Sequence, residues 1–573
     1  MLGDLTTGTL IAVTLGVCVA QMAAALPSVL NGLFQLDLGT SPSQLTWIGA
    51  AFLVPVTLLE LTTGVLGDLF GRKRLLVGGA LLLAAGSLVA VLTPGSGSAQ
   101  WRVAFVWIGQ GLNGVGAACI VPTTLATLAA VTYDARQRGR VIAIYVASLS
   151  SGFFLGAVLG GALAEVPWGS DPHASWRWAY VLVGAVALLS AAVSVHGAGN
   201  SSAPEGRSLD WPGQITIAVA LFALLFAVIQ ASTIGWGRAE VIAGFVVAAV
   251  FLALFVALER GRASPLLRLD LFRNRAFAIT AFVAVVGMFP FIGTAYATSI
   301  RVSAIQGFSP LQTSIVFVLL QVWTLVLLPV IAYVTPRVNP RWRLGGGLAL
   351  MAVGDFWASN VPVSHVSIGS IAAPICLVGI GFAFAVSSIL AVAVNTVPIP
   401  LAGMASATTT MLRDVGFTLA PAVIASVAFT RAASIMRARI AASPVLRRAL
   451  DRFYGAVGQA PPASRPRLAA AVAAVKSGPL GANAIPATAR LPSGHVVPLN
   501  PIKGVAFDAL GRGFSLGYLV CGCAAAVAAV VVLATLRAGR TAGAPRRASG
   551  SALPPAPAEM SPAKARGMGT KPP

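Results

Sequence analysis

Long apolar runs alternate with short, charged or glycine-rich breaks along almost the whole chain. A helix needs roughly 20 apolar residues to cross the hydrocarbon of a bilayer, and run after run reaches that length. The pattern predicts fourteen membrane spans, at residues 6–34, 45–66, 75–93, 102–132, 141–164, 177–196, 211–231, 239–258, 274–298, 310–333, 344–361, 367–396, 403–431 and 513–537. Several exceed the width of a bilayer, which predicts tilt or extension past it. The first run has no basic segment before it and is too long for a cleaved signal peptide. Two stretches break the rhythm. Residues 432–512 mix an amphipathic helical pattern, from Ile435 to Val457, with Pro- and Gly-rich coil. Residues 541–573 form a tail rich in Ala, Pro, Ser and Gly, a composition that stays disordered.

Composition fits a hydrocarbon solvent. Only 10% of the 573 residues are charged, 57% are hydrophobic, and the mean hydropathy is +0.85. A soluble surface of this size needs far more charge. The formal net charge of +22 does not mark a nucleic-acid partner, because the bases sit mostly in loops and not on one soluble domain. They set topology instead. With the N-terminus in the cytoplasm, fifteen Lys and Arg fall in the inner breaks, among them Arg72, Lys73, Arg74, Arg262 and Arg337. Only Arg102, Arg177, Arg238 and Arg301 fall in the short outer ones. That bias puts both termini in the cytoplasm. Segment 432–512 is then external despite its many bases, since long segments cross regardless of charge. It reads as a solvated cap, or as a basic surface for anionic headgroups or an anionic substrate. Trp101, Trp168, Trp176, Trp178 and Trp236 fall where interfacial anchors belong. Cys18, Cys119, Cys376, Cys521 and Cys523 lie in apolar runs and read as buried small hydrophobes, not disulfides or metal ligands.

The break Gly64-Val65-Leu66-Gly67-Asp68-Leu69-Phe70-Gly71-Arg72-Lys73-Arg74 is the most distinctive motif. Gly64 and Gly67 allow close helix approach, and Gly71 permits a tight turn. Asp68 is placed to bond a helix N-terminus or an arginine. The segment resembles the Gly-x-x-x-Asp-Arg-x-Gly-Arg-Arg/Lys signature of the major facilitator superfamily of secondary transporters, with Leu69 where the family has a base. Further stretches are similar to that superfamily's 14-span drug:proton antiporter group. Gly156-Ala157-Val158-Leu159-Gly160-Gly161 resembles its Gly-Pro-x-x-Gly-Gly antiporter motif, and Gly152 extends the glycine spacing. Gln110-Gly111-Leu112-Asn113-Gly114 resembles its Arg-x-x-Gln-Gly pattern, with Gln110 at the arginine. Ala25-Leu26-Pro27 closes a first-span pattern in which Cys18 takes the place of an aspartate. Together such matches cover about residues 10–430.

The resemblance implies an all-α membrane protein. Residues 1–200 would form one six-helix bundle, 263–431 with 513–540 a second, and 201–262 two inserted helices. A substrate cavity would lie between the bundles near mid-membrane. It implies a multi-pass protein of a bacterial plasma membrane, monomeric, with the lipid bilayer, a small lipophilic substrate and protons as partners, and no cofactor or metal. Asp68 and Arg72, with Gly64, Gly71 and Lys73, would latch the cytoplasmic side. Gly114, Gly152, Gly156, Gly160 and Gly161 would pack helices. Gln21, Gln110 and Asn113 are the polar side chains placed to face a cavity. Charges within spans are costly and functional by default, which singles out Glu60, Asp355, Arg413 and Asp414. A carboxylate there would exchange a proton between two access states, or would only neutralise Arg413. The function expected is multidrug-type efflux of amphipathic compounds by alternating access. The alternatives are a dedicated exporter of a lipid or siderophore-like metabolite, or a non-transporting sensor. A membrane enzyme would want an acidic pair or metal-ligand cluster at an interface, and the sequence offers neither.

Overall fold

Proline, serine and glycine decide where the helices begin and end. Ser41 and Ser309 each open a helix with a capping box, paired with Gln44 and Gln312, and a proline fills the first helical position. Gly39 and Gly71 close helices with positive φ values of 64° and 99°. The structure is a computed structural model. It describes residues 6–130, 135–199, 202, 209–262, 267, 269–335, 337–395, 402–459, 462, 465–490 and 496–535. The tail 541–573 and the break near 397–401 lie outside the described residues.

The helices run α1 (Thr7–Leu38), α2 (Pro42–Phe70), α3 (Arg72–Val91), α4 (Ala99–Ala130), α5 (Ala135–Leu163) and α6 (Arg177–Gly197). They continue as α7 (Trp211–Ile234), α8 (Ala239–Arg260), α9 (Arg275–Val286), α10 (Phe289–Ser299), α11 (Pro310–Val326) and α12 (Leu328–Val334). Then come α13 (Pro340–Asn360), α14 (Ile368–Asn395), α15 (Ala402–Ala442), α16 (Pro444–Gln459), α17 (Arg465–Lys476), α18 (Pro479–Ala484) and α19 (Lys503–Thr535). A π-helical turn, Ile300–Ile305, continues α10. Eleven helices are long and apolar enough to cross a membrane, and α11 with α12 makes a twelfth, bent by 41°. That is fewer than the fourteen spans expected. Among the described residues α5 offers only the apolar stretch Ala147–Leu163, and α13 carries Arg341, Arg343 and Asp355 within 21 residues.

Helices α1 to α6 pack on one another. Helices α9 to α11, α13 to α15 and α19 form a second packed group. The α7–α8 pair lies against α2 of the first group and α15 of the second. Segment 432–512 departs from expectation in three ways. The thirteenth span does not stop at 431, because α15 continues to Ala442, so the amphipathic helix starts at Pro444 rather than Ile435. The last span begins at Lys503, ten residues early, where Asn500 Oδ1 accepts from the Ile502 N–H. Between them a two-stranded antiparallel ribbon, β1 (Thr488–Arg490) and β2 (Val496–Pro498), departs from a purely helical fold. The segment packs as a cap, with α16 on α15 and α18 on α19 and the π-turn. Asn483 Nδ2 donates to the carbonyls of Ala304 and Ile305, satisfying acceptors the π-turn leaves over.

Candidate functional site

A cavity of about 830 Å3 lies between the two packed groups. Helices α1, α2, α4 and α5 wall one side, and α10, α11, α12, α14 and α15 the other. The walls are mainly apolar and aromatic. Phe291 stacks on Phe382 at a ring separation of 3.5 Å, and Phe417 tilts against both. The Arg413 guanidinium lies 5.5 Å from the Phe417 ring centre.

One charged cluster interrupts this lining. Arg413 Nε donates to Asp414 Oδ1 at 2.8 Å, and Glu60 of α2 lines the same cavity with Asp414 of α15 beside it. Two neighbouring carboxyl groups repel each other when both are ionised. The second oxygen of Glu60 has no hydrogen-bond partner among the described residues. Thr57 ties the same two helices beside it, 2.6 Å from Thr418 Oγ1 and donating to the Asp414 carbonyl at 3.2 Å.

The cavity is shut at the end away from the 64–74 hairpin. Asn31 Nδ2 donates to Ser299 Oγ at 2.8 Å, and Ser299 donates to the Ser28 carbonyl. Thr46 and Tyr296 hydroxyls meet at 2.9 Å. Gly32 lies flat on Ser303, where an added Cβ would be 3.0 Å from the serine. Thus α10 is at once a wall of the cavity and its seal.

Gln21 lines the cavity, and so do Glu60, Arg413 and Asp414, the charges singled out within spans. Three other candidates do not. Gln110 and Asn113 are fully buried; Asn113 turns toward α3, where its Oδ1 accepts from Ser87 at 3.5 Å, and its Nδ2 donates to Gln110 at 3.3 Å. The glycines of α4 cause this: Gly114 and Gly116 bring α4 against α2 and α3, leaving those polar side chains inside the α1–α6 group. Asp355 is fully buried among α10, α13 and α19, away from the cavity lining. Its Oδ1 accepts from Thr294 at 2.5 Å, and its Oδ2 has no partner among the described residues.

The hairpin holds its charges inside. Asp68 accepts from Arg72 at 2.7 Å, one turn on, and both are buried. Gly67 abuts Thr123 of α4, while Gly64 keeps ordinary room beside Pro122. Lys73 is half-buried. On α5 the glycine spacing carries out the packing expected. A Cβ at Gly152 or Gly156 would collide with the backbone of α1 at Cys18 or Met22, and one at Gly160 with Leu26. Gly161 faces the other group and would strike Pro310 of α11.

The sequence reading missed a second buried charge centre. Asp37 accepts from Arg102 at 2.6 Å, from Trp176 Nε1 at 2.7 Å and from Arg177 at 3.3 Å. Arg102 and Arg177 are therefore structural ties, not loop charges, and the fully buried Trp176 is no interfacial anchor. Arg301 is likewise no loop residue: it is 2% exposed and donates to the carbonyls of Val361 and Pro362. Cys523 is exposed, and Cys18, Cys119 and Cys376 are only partly buried.

Comparison with known proteins decides the lineage. The Major Facilitator Superfamily model matches residues 13–421. The chain belongs to that superfamily. It is therefore a multi-pass membrane transporter rather than an enzyme. The multidrug resistance protein Stp of Mycobacterium tuberculosis is 29% identical over 73% of this chain and 75% of its own. The tetracenomycin C resistance and export protein of Streptomyces glaucescens is 27% identical over 92% of this chain and 91% of its own. A match of that extent takes in the 432–512 cap. Among solved structures, a bacterial homologue of the human lysosomal transporter Spinster superposes with a TM-score of 0.59 at 15% identity, over 92% of this chain and 96% of that one. The shared fold is what that likeness shows.

Proposed function

We propose that this protein is a secondary active exporter of amphipathic or lipophilic compounds, working by alternating access in a bacterial plasma membrane. The observation that supports it best is the aromatic cavity between two helix groups, sealed at one end, with one small charged cluster inside. Lipophilic molecules suit such walls, and a few polar groups suffice to orient them. In this reading α5 and α13 join the twelve apolar spans to give fourteen. Residues 1–200 and 263–431 with 513–540 form two rocking bundles, residues 201–262 an inserted pair, and residues 432–512 an external cap. Both termini are cytoplasmic, which puts the 64–74 hairpin inside and the Asn31–Ser299 seal outside. One chain is the working unit.

Transport is coupled to protons in this proposal. Glu60 and Asp414, side by side in the cavity lining on opposite groups, would hold one proton between them, and opening the α2–α15 contact would free it. Asp355 is a second carboxyl that exchanges a proton inside the second group. Asp68 and Arg72 latch the hairpin side. The readings of the chain as a dedicated lipid exporter or as a sensor differ from this one in their behaviour. The test is substrate-stimulated pH change in proteoliposomes loaded with a lipophilic cationic dye. Dye counterflow with proton movement supports the proposal, dye counterflow without it removes the proton, and no counterflow at all removes the exporter.

A further inference from the structure

We propose that the cavity opens sideways into the bilayer on one side only, past α12, and that an anionic phospholipid docks there with its phosphate at Arg337 and an acyl chain in the cavity. Two seams separate the helix groups, and the structure treats them oppositely. The α2–α15 seam is covered. Leu221, Leu225 and Val228 of α7 pack in one cluster with Val54 of α2 and Ala422 of α15. Gln214 of α7 donates to the Leu58 carbonyl and accepts from Thr62 at 2.6 Å. No alkyl chain passes a seam filled with side chains at interior density.

The other seam, between α5 and α11–α12, is closed only at one end. There Gly161 lies on Pro310, and Glu165 Oε1 accepts from the Leu311 N–H at 3.0 Å. At Leu327 the helix bends by 41°. Pro329 causes the bend, since its ring clashes with the carbonyl four residues back and it has no N–H to give. Past the bend not one residue of α12 is buried. Yet Leu328, Pro329, Ile331 and Ala332 line the cavity, while Val330 and Tyr333 on the opposite face are 45% and 63% exposed. Among the described residues α12 packs closely on α11 alone. It is a wall one helix thick with an unguarded flank.

The chemistry along α12 matches a phospholipid read from head to tail. Arg337 donates to the Tyr333 carbonyl at 2.8 Å, and its guanidinium lies 3.8 Å over the Tyr333 ring. That fixes an exposed cation at the end of α12, where a phosphate accepts two of its N–H groups. From there the seven residues of α12 climb about 10 Å at 1.5 Å each. That is within one leaflet, about 15 Å, of a hydrocarbon core about 30 Å thick. The path carries no charge, and it ends at Thr324, whose buried hydroxyl has no partner among the described residues.

The full chain reconstituted with phosphatidylglycerol bearing a diazirine in one acyl chain tests this directly. Photolysis and peptide mapping are expected to label the cavity-facing stretch Leu149–Phe153 of α5 and Phe382 of α14, as well as the outer surface of α8. Ala332→Trp is expected to cut the cavity labels several-fold and leave the α8 labels unchanged. Where tryptophan is not tolerated, Ala332→Cys blocked with a bulky thiol reagent after folding gives the same comparison, against the parent chain treated alike. Arg337→Gln, or a phosphatidylcholine probe, is expected to lower cavity labelling several-fold. Labels confined to outer surfaces, or cavity labels indifferent to Ala332→Trp and its blocked counterpart, overturn the portal. Cavity labels indifferent to Arg337 and to the headgroup overturn the anionic lipid. Labelling needs no turnover. A chain that labels but does not transport sinks the exporter and keeps the portal, and one that transports without cavity labels does the reverse.

Discussion

Single residues in this protein matter according to which group they leave unpaired. Asp37 holds two arginines and an indole at the sealed end. Removing one partner from a buried ion pair strands the other charge, at a cost of about 3–5 kcal/mol. Asp37→Ala is therefore expected to lower the melting temperature of the purified protein markedly, whereas Asp171→Ala, on an exposed turn, leaves it unchanged. Glu60 is a different case, because its neighbours are the groups proposed for coupling. Glu60→Gln is expected to abolish accumulation driven by a pH gradient while sparing substrate exchange, and unaltered gradient dependence removes Glu60 from coupling. Asp355→Asn makes the parallel test of the second carboxyl. Asp68→Asn is expected to slow the full cycle without affecting membrane insertion, measured as uptake into inverted vesicles. The hairpin was legible in the sequence because its glycines, acid and bases must stand at fixed spacing to make a turn. Asp37 was not: an aspartate at the end of an apolar run looks like a loop charge until the folded chain brings Arg102 and Arg177 to it from 65 and 140 residues away.

At the level of elements, spacing was informative where it demanded a missing side chain and ambiguous where it only placed a polar one. Along the four-residue glycine repeat of α5, an added Cβ at Gly152 or Gly156 would meet the backbone of α1. Gly152→Val is expected to cost about 1–3 kcal/mol or more by overpacking, read as a loss of monodisperse protein in detergent. Gly346→Ala, which has open space around it, makes the matching control. The polar residues of α4 were misplaced because a helix buried on all sides offers a cavity face and a core face with similar sequences. Gln21 and Gln110 look alike from the sequence, and only packing sends one to the cavity and buries the other beside Asn113. Helix ends inside the 432–512 cap were equally hidden. Nothing local stops α15 at residue 431, and it runs on until Ser443 and Pro444 interrupt it.

The molecule as a whole is held shut at one end by a few hydroxyl and amide contacts between α1, α2 and α10. If that seal must part in each cycle, a covalent bond across it stops transport. Asn31→Cys with Ser299→Cys is expected to block efflux under oxidation and regain it on reduction, measured in vesicles; full activity when oxidised refutes the need for opening there. That two helix groups would enclose a cavity was readable from the resemblance, while the sealed end was not, because it depends on tertiary pairs such as Thr46 with Tyr296. The inserted pair shows what the extra length does. Among the described residues helix α7 is hydrogen-bonded to α2, while its contact with α15 is an aliphatic cluster. Hydrogen bonds resist shear and greasy contacts do not. If the two bundles rock as proposed, the pair is expected to travel with the first and wipe along the second like a gasket, which would keep that flank leak-proof to lipid.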